Sequence, residues 1–319
     1  MINWDAGQKV MITGGNSMIG SAVAWALCKR TARKEKETVI DTVPHKECDL
    51  LNTAEVYARF ASFRPDFVIH AAGYNGGIEW NKKYPATIFE RTVQMGLNVF
   101  NAAHRFGVRN ILSIISSCAY PDGEVLKEED FWNGAPHLTV DCHGFAKRVL
   151  VEYGYQMWKQ YGQSHHAVVL NTCYGRGDSY HPEKTKVVGG MIKRFIEAKK
   201  QNLPQVQCWG TGSPRREFLF APDAGELVVN ALEQYYETYL PLNISSGQEL
   251  TIKELAETVA KVVGYEGEIL WDTTKPDGQM RKRLDTTRMR ELWPDFQFTS
   301  LEDGLREAVD GYNFQFSQS

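Results

Sequence analysis

Residues 141–150 read DCHGFAKRVL, with His143 four positions before Lys147. On a helix that spacing stacks the two side chains on one face. An imidazole near its ordinary pKa exchanges protons at neutral pH, and a neighbouring ammonium disfavours its charged form. The same two residues would serve equally well on an ordinary helix surface. What the rest of the chain builds around them decides between the two.

A second chemistry is written in MITGGNSMIG. Gly14, Gly15 and Gly20, with Asn16, Ser17, Met18 and Ile19 among them, end a strand and open a helix. That is the context of a dinucleotide turn, whose backbone N–H groups hold a pyrophosphate. Ser17 stands where such a turn has its middle glycine, so its side chain would crowd the phosphates. Asp41 ends the next strand, about twenty residues further on. A carboxylate there accepts hydrogen bonds from the adenosine ribose of NAD and repels the 2′-phosphate of NADP. NAD is therefore favoured over NADP; the plainer reading of Asp41 is a strand-end acid or a helix cap.

Metal chemistry has little support. The six cysteines show no CxxC pair and no zinc-ligand spacing. His165 and His166 are adjacent on a strand pattern, so their side chains diverge to opposite faces. The thiols read as reduced, in a cytoplasmic protein.

The elements that must position these groups follow from pattern. The chain has 319 residues, 43% apolar and 24% charged, with a formal net charge of -3. That suffices for one large α/β unit or two joined domains. It offers no basic footprint for nucleic acid, no apolar run long enough for a membrane helix, and no secretion-signal pattern at the start. KVMITGG, ETVIDT, PDFVIHAAG, NILSIISSC and SHHAVVLNTCYG read as strands. SAVAWALCKR, TAEVYARFASF, a segment from about Phe89 to Phe106, and AKRVLVEYGYQMWKQYG read as the helices between them. Such alternation predicts an α/β fold with a Rossmann-type doubly wound parallel sheet. Ligands bind at the carboxyl ends of its strands, where Gly14, Asp41, Ala71, Ser116 and Thr172 fall. The second half is less regular. VVGGMIKRFIEAKK is helical, VQCWGTGSPRREFLF mixes strand with turn, and TIKELAETVAKVVGY is a helix with Thr251 and Glu254 in capping-box position. The expected organisation is a dinucleotide-binding domain over 1–172, with a returning segment near 218–248, and a smaller substrate-binding domain from 173–217 and 249–319.

The segments HAAGYNGGI, SSCAYP, HGFAK, YHPEKTKVV, MIKRF, WGTGSPRREFLF and KPDGQMRKRLD, in this order, resemble an extended short-chain dehydrogenase/reductase of the sugar-nucleotide type. The closest similarity is to the GDP-L-fucose synthase family, which epimerises and reduces GDP-4-keto-6-deoxymannose, and it runs over almost the whole chain. The resemblance implies that Ser116 hydrogen-bonds the sugar ketone and that Cys118 abstracts sugar protons during epimerisation. It implies that Lys147 binds the nicotinamide ribose and lowers the pKa of the proton donor. It implies that Val187, Met191, Arg194, Trp209, Arg216 and Lys282 hold a GDP-linked sugar, and that Ala71 and Ala72 line the cofactor groove. A homodimer is expected, C2 dimers being the commonest soluble oligomers; the helices containing Asn98 and Val149 resemble those that pair in the family.

The chain departs from the family at chosen places. His143 stands for the catalytic tyrosine, Lys186 for a catalytic histidine, Thr92 for a cofactor-contacting asparagine, Ser17 for a glycine and Asp41 for an arginine that selects NADP. These positions collect at the redox centre and along the cofactor groove, while the GDP-binding positions are kept. Three readings follow: a full epimerase/reductase with His143 as proton donor; a redox-altered enzyme that only epimerises or oxidises with tightly held NAD; and a non-catalytic homologue that binds GDP-sugars. Retained Ser116, Cys118 and Lys147 favour an enzyme.

Overall fold

The computed structural model describes residues 2–181, 184–275, 277 and 279–316. The chain begins with β1 (Lys9–Thr13), α1 (Met18–Thr31), β2 (Val39–Asp41), α2 (Thr53–Phe63) and β3 (Phe67–His70). All of β3, and all of β1 but Lys9, is buried, as expected of parallel strands covered on both faces. Helix α2 opens on Asn52, whose side chain accepts from the N–H groups of Ala54 and Glu55. Next come α3 (Ile78–Lys83) and α4 (Pro85–Arg105). Pro85 sits in the first turn of α4, where its missing N–H costs nothing. The helix therefore starts about a turn earlier than the apolar pattern alone indicated.

After β4 (Asn110–Ser116), a short β5 (Val125–Leu126) precedes α5 (Asp141–Tyr161), β6 (Ser164–Leu170) and β7 (Thr172–Tyr174). Then follow α6 (Val187–Lys200), β8 (Gln205–Trp209), β9 (Arg215–Phe220), α7 (Ala221–Gln234) and β10 (Leu242–Ile244). The chain closes with β11 (Glu249–Thr251), α8 (Ile252–Val263), β12 (Glu268–Asp272), β13 (Arg281–Leu284), α9 (Thr287–Leu292) and α10 (Leu301–Phe316). The capping box of α8 is formed: Glu254 N–H donates to Thr251 Oγ1 at 3.0 Å, and Thr251 N–H to Glu254 Oε2 at 2.7 Å.

The main sheet has six strands in the order β10-β6-β4-β3-β1-β2, every pair parallel. One face is covered by α1 and α7 through Val23, Leu27, Leu227 and Val228. The other is covered by α2, α4 and α5 through Val56, Phe60, Phe100 and Leu150. This is the doubly wound α/β architecture the alternation called for. Because β2 and β3 flank β1 on opposite sides, the strand order reverses at β1. A crevice opens there over the strand ends.

A second sheet, β11-β9-β13-β5 with β7 on β9, draws on segments far apart in sequence. It and the parallel pair β8–β12 are backed by α6, α8 and α10, whose Met191, Phe195, Val259 and Leu305 form a separate core. Strand β13 pairs in parallel with both β9 and β5. One strand of the second sheet is thus supplied by residues more than half the chain beyond β4.

Candidate active site

The glycine turn after β1 is built for close approach. Gly14 has φ 72°, and a Cβ on it would lie 2.9 Å from the backbone of Ala72, just past β3. A Cβ on Gly20 would lie 2.1 Å from the Gly14 carbonyl oxygen. Ser17 N–H donates to that same carbonyl at 3.0 Å. The Ser17 hydroxyl caps α1, accepting from Gly20 N–H at 3.1 Å. The side chain expected to crowd a pyrophosphate is thereby turned onto the helix start. Met18 and Ile19 occupy the first helical positions, whose N–H groups have no intrahelical acceptor. Gly15 is buried and Asn16 exposed at the rim. These residues fit a dinucleotide: the cradle admits no side chains, and helix N–H groups are presented to an anion.

Asp41 differs from expectation. Its side chain is 5% exposed and is held by Arg59 of α2 in a two-point pair, with Nε to Oδ2 and Nη2 to Oδ1 both at 2.7 Å. Val43 N–H also donates to Oδ1 at 3.0 Å. The carboxylate is therefore neither free nor uncompensated, and the NAD preference drawn from its charge is not supported. Sequence reasoning passed over Arg59, because a single arginine on α2 carries no local signal of its partner 18 residues earlier.

The ends of β3 and β4 meet the buried face of α5. Lys147 is 4% exposed. Its Nζ donates to the Ile114 carbonyl at 3.0 Å and to that of Ala72 at 3.3 Å, and burial pushes its pKa down to about 8. His143, one turn earlier, is 3% exposed. Burial, then the positive charges of Lys147, Lys186 and Lys282, lower its pKa to about 3. The imidazole is thus neutral at physiological pH, and Nδ1 has no hydrogen-bond partner among the described residues. The imidazolium donor considered from sequence is not populated there. This face of α5 is interior, and the charges of three lysines act on one histidine.

Ser116 closes β4, and its Oγ accepts from Cys118 N–H at 3.3 Å, shaping a tight turn at Ser117–Ala119. Gly144 of α5 lies directly on that turn; a Cβ there would come within 2.3 Å of the Cys118 carbonyl oxygen. The absent side chain lets α5, which carries His143 and Lys147, pack directly on the turn that holds the half-buried Cys118.

Lys186 is the N-cap of α6, with Val187 the first helical residue. In the second sheet Lys282 of β13 lies opposite Arg216 of β9 in register, so both project from neighbouring strands on one face. Arg216 is fastened by donation to the carbonyls of Arg215, at 2.8 Å, and Gln279. The remaining candidates separate. Met191 is 6% exposed and packs in the core under α6. Arg194 donates to the Gln207 carbonyl at 2.8 Å on β8. Trp209, at the end of β8, is 61% exposed. The charges of Lys147, Lys186 and Lys282 thus all bear on His143, whereas Arg194 and Trp209 belong to the β8 edge. Thr92, in place of the family's asparagine, pins the loop after β3: Tyr74 N–H donates to its Oγ1 at 3.3 Å.

A doubly wound sheet with a glycine turn at its switch point, and a lysine clamped between two strand ends, defines a class, and comparison with known proteins agrees. Residues 10–244 match the model of the NAD dependent epimerase/dehydratase family, and the chain belongs to that family. The GDP-L-fucose synthase of Escherichia coli (strain K12) is 36% identical over 316 residues, covering 96% of this chain and 96% of its own. A GDP-L-fucose synthetase from Naegleria fowleri, solved bound to NADP, superposes with a TM-score of 0.88 at 24% identity, over 98% of this chain and 96% of that one. A GDP-mannoheptose C4 reductase from Campylobacter jejuni, solved with NADP, gives a TM-score of 0.83 at 24% identity, over 98% of this chain and all of that one.

Proposed function

We propose that this chain is an epimerase/reductase acting on a GDP-linked 4-keto sugar with NAD or NADP. The observation that carries the proposal is that the charges of Lys147, Lys186 and Lys282 all bear on the buried His143, on a helix that packs against the turn holding Cys118. A keto sugar diphosphate brings anionic charge and an acidic carbon next to a carbonyl, and this arrangement answers both. Ser116 Oγ–H donates to the ketone oxygen. Cys118, as thiolate, takes the proton from the carbon beside the ketone, and the Lys186 ammonium returns one to the opposite face. Arg216 and Lys282 pair with the diphosphate. Val187 and Trp209 offer apolar surface to sugar and base, with Arg194 at the base end. Lys147 holds the nicotinamide ribose and fixes positive charge beside the carbonyl. A nicotinamide held at Lys147 would supply hydride to the carbonyl carbon, and the His143 N–H would give the resulting alkoxide its proton.

A second reading is favoured by one observation, the neutral His143. A neutral imidazole is a poor acid, so epimerisation through Cys118 and Lys186 would continue while reduction is suppressed. One experiment separates the readings: incubation with GDP-4-keto-6-deoxymannose and NAD(P)H in deuterium oxide. Deuterium in the sugar together with cofactor oxidation supports the epimerase/reductase. Deuterium alone selects the second reading. Absence of both overturns the enzyme assignment.

We also assign residues 1–172, with a return near 218–248, to cofactor binding and 173–217 with 249–319 to the sugar nucleotide. A homodimer fits the exposed Phe145 and Val149, one turn apart on one face of α5, apolar surface suited to a second copy. No helix among the described residues is long and apolar enough to cross a membrane. The six free thiols accord with a cytoplasmic location.

A further inference from the structure

The pair Arg59–Asp41 stands where a dinucleotide of the kind proposed above would place its adenosine ribose. Asp41 ends β2, and the next residue, Thr42, touches the glycine turn so closely that a Cβ on Gly15 would lie 2.6 Å from it. The hydrogen-bond capacity of the pair is lopsided. A carboxylate offers about four acceptor sites. Asp41 has already spent three of them, two on Arg59 and one on Val43 N–H. With its side chain 5% exposed, it cannot receive the two ribose hydroxyls together. Arg59 is the open member. Its side chain is 31% exposed, and among the described residues Nη1 reaches only Glu47, at 3.0 Å, whose own side chain is 57% exposed. An ion pair as exposed as that between Arg59 and Glu47 is weak and easily exchanged for another anion. The buried pair with Asp41 is different, because it fixes the plane of the guanidinium.

We propose that Arg59 is the residue that determines cofactor specificity, its outer guanidinium edge receiving the 2′-phosphate of NADPH as Glu47 swings away, with Asp41 acting as the strut that aims it. An acid at the end of β2 then favours the phosphorylated dinucleotide instead of repelling it, because its charge is spent on Arg59. The inference rests on the dinucleotide reading above and deepens it by choosing the cofactor.

Titration of nicotinamide fluorescence with NADPH and with NADH, on the full chain, tests it without turnover. The wild type is expected to bind NADPH more tightly. Arg59→Met should weaken NADPH by about tenfold or more while moving NADH by no more than about threefold, the difference being one charge-assisted contact. Because Arg59→Met strands the buried Asp41, Glu47→Gln provides a variant that leaves the pair intact. It should tighten NADPH and leave NADH unchanged. Preference of the wild type for NADH, an unaltered ratio in both variants, or an equal loss of both cofactors in Arg59→Met with no response in Glu47→Gln overturns the proposal. If the wild type binds neither cofactor, the dinucleotide reading fails and the inference with it. If it binds both, the ratio alone decides.

Discussion

His143 and Lys147 share the buried face of α5 one turn apart, and the lysine holds the carbonyls of Ile114 and Ala72 while the imidazole Nδ1 has no partner among the described residues. The consequence is an acid–base pair in which the ammonium survives and the imidazolium does not. Lys147 persists as a cation up to about pH 8, and its charge is one cause of the neutrality of His143. In the reaction proposed above, proton delivery to the reduced sugar oxygen is therefore the weak step.

Restoring a phenol tests that weakness. His143→Tyr places a group beside Lys147 whose acidity the ammonium raises. Cofactor oxidation should rise by about tenfold or more, within the usual range of a positioned general acid. Deuterium exchange into the sugar should change little. The ratio of the two rates, measured in one reaction, checks this; an unchanged ratio would show that His143 does not limit reduction.

Acid stability should reflect the buried neutral histidines. Burial lowers His143, His165 and His166 to about 3, whereas the unfolded chain takes up their protons near 6.5. Between those values the unfolded state binds more protons, so stability falls as pH falls from about 6.5 toward 3. Each histidine contributes a slope of about 1.4 kcal/mol per pH unit at most. The buried Glu217 opposes this, since burial raises its carboxyl pKa and protonation then favours the folded state. A variant comparison cancels that opposing term. His143→Gln should have a shallower loss of denaturant midpoint across this window than the wild type, and parallel curves would refute the linkage.

Lys147→Met separates the two half-reactions. Removing the ammonium should slow cofactor oxidation by roughly a hundredfold, as for a positioned acid–base group, while Cys118-dependent exchange persists. In the native protein the rate of reduction should decline above about pH 8, where the buried ammonium gives up its proton. Equal losses of exchange and reduction in the variant would mean that Lys147 supports the fold of the site and not the redox step.

Arg216 and Lys282 face one another across β9 and β13 and should act on binding. Alanine at either should raise the KM for the GDP-sugar about tenfold, the scale of one charge-assisted contact, with a smaller effect on kcat. The double variant should lose less than the two singles together, since both contact one diphosphate. Calorimetry with GDP reads this directly; full additivity would place the two charges on different groups.

Local pattern determined much of this protein. The strand–helix alternation, the glycine turn at Gly14–Gly20 and the Thr251–Glu254 cap are decided by neighbours within a few residues, so they are legible in one dimension. The face shared by His143 and Lys147 follows from the helical repeat alone. Tertiary structure decided the rest. Arg59 comes to Asp41 and Gly144 to Cys118, and the charges of Lys186 and Lys282 bear on His143, only when separate elements pack. The charge state of His143 and the engagement of Asp41 follow from burial and from partners distant in sequence. Desolvation and Coulomb energies depend on distance in space, and spacing along the chain does not record them.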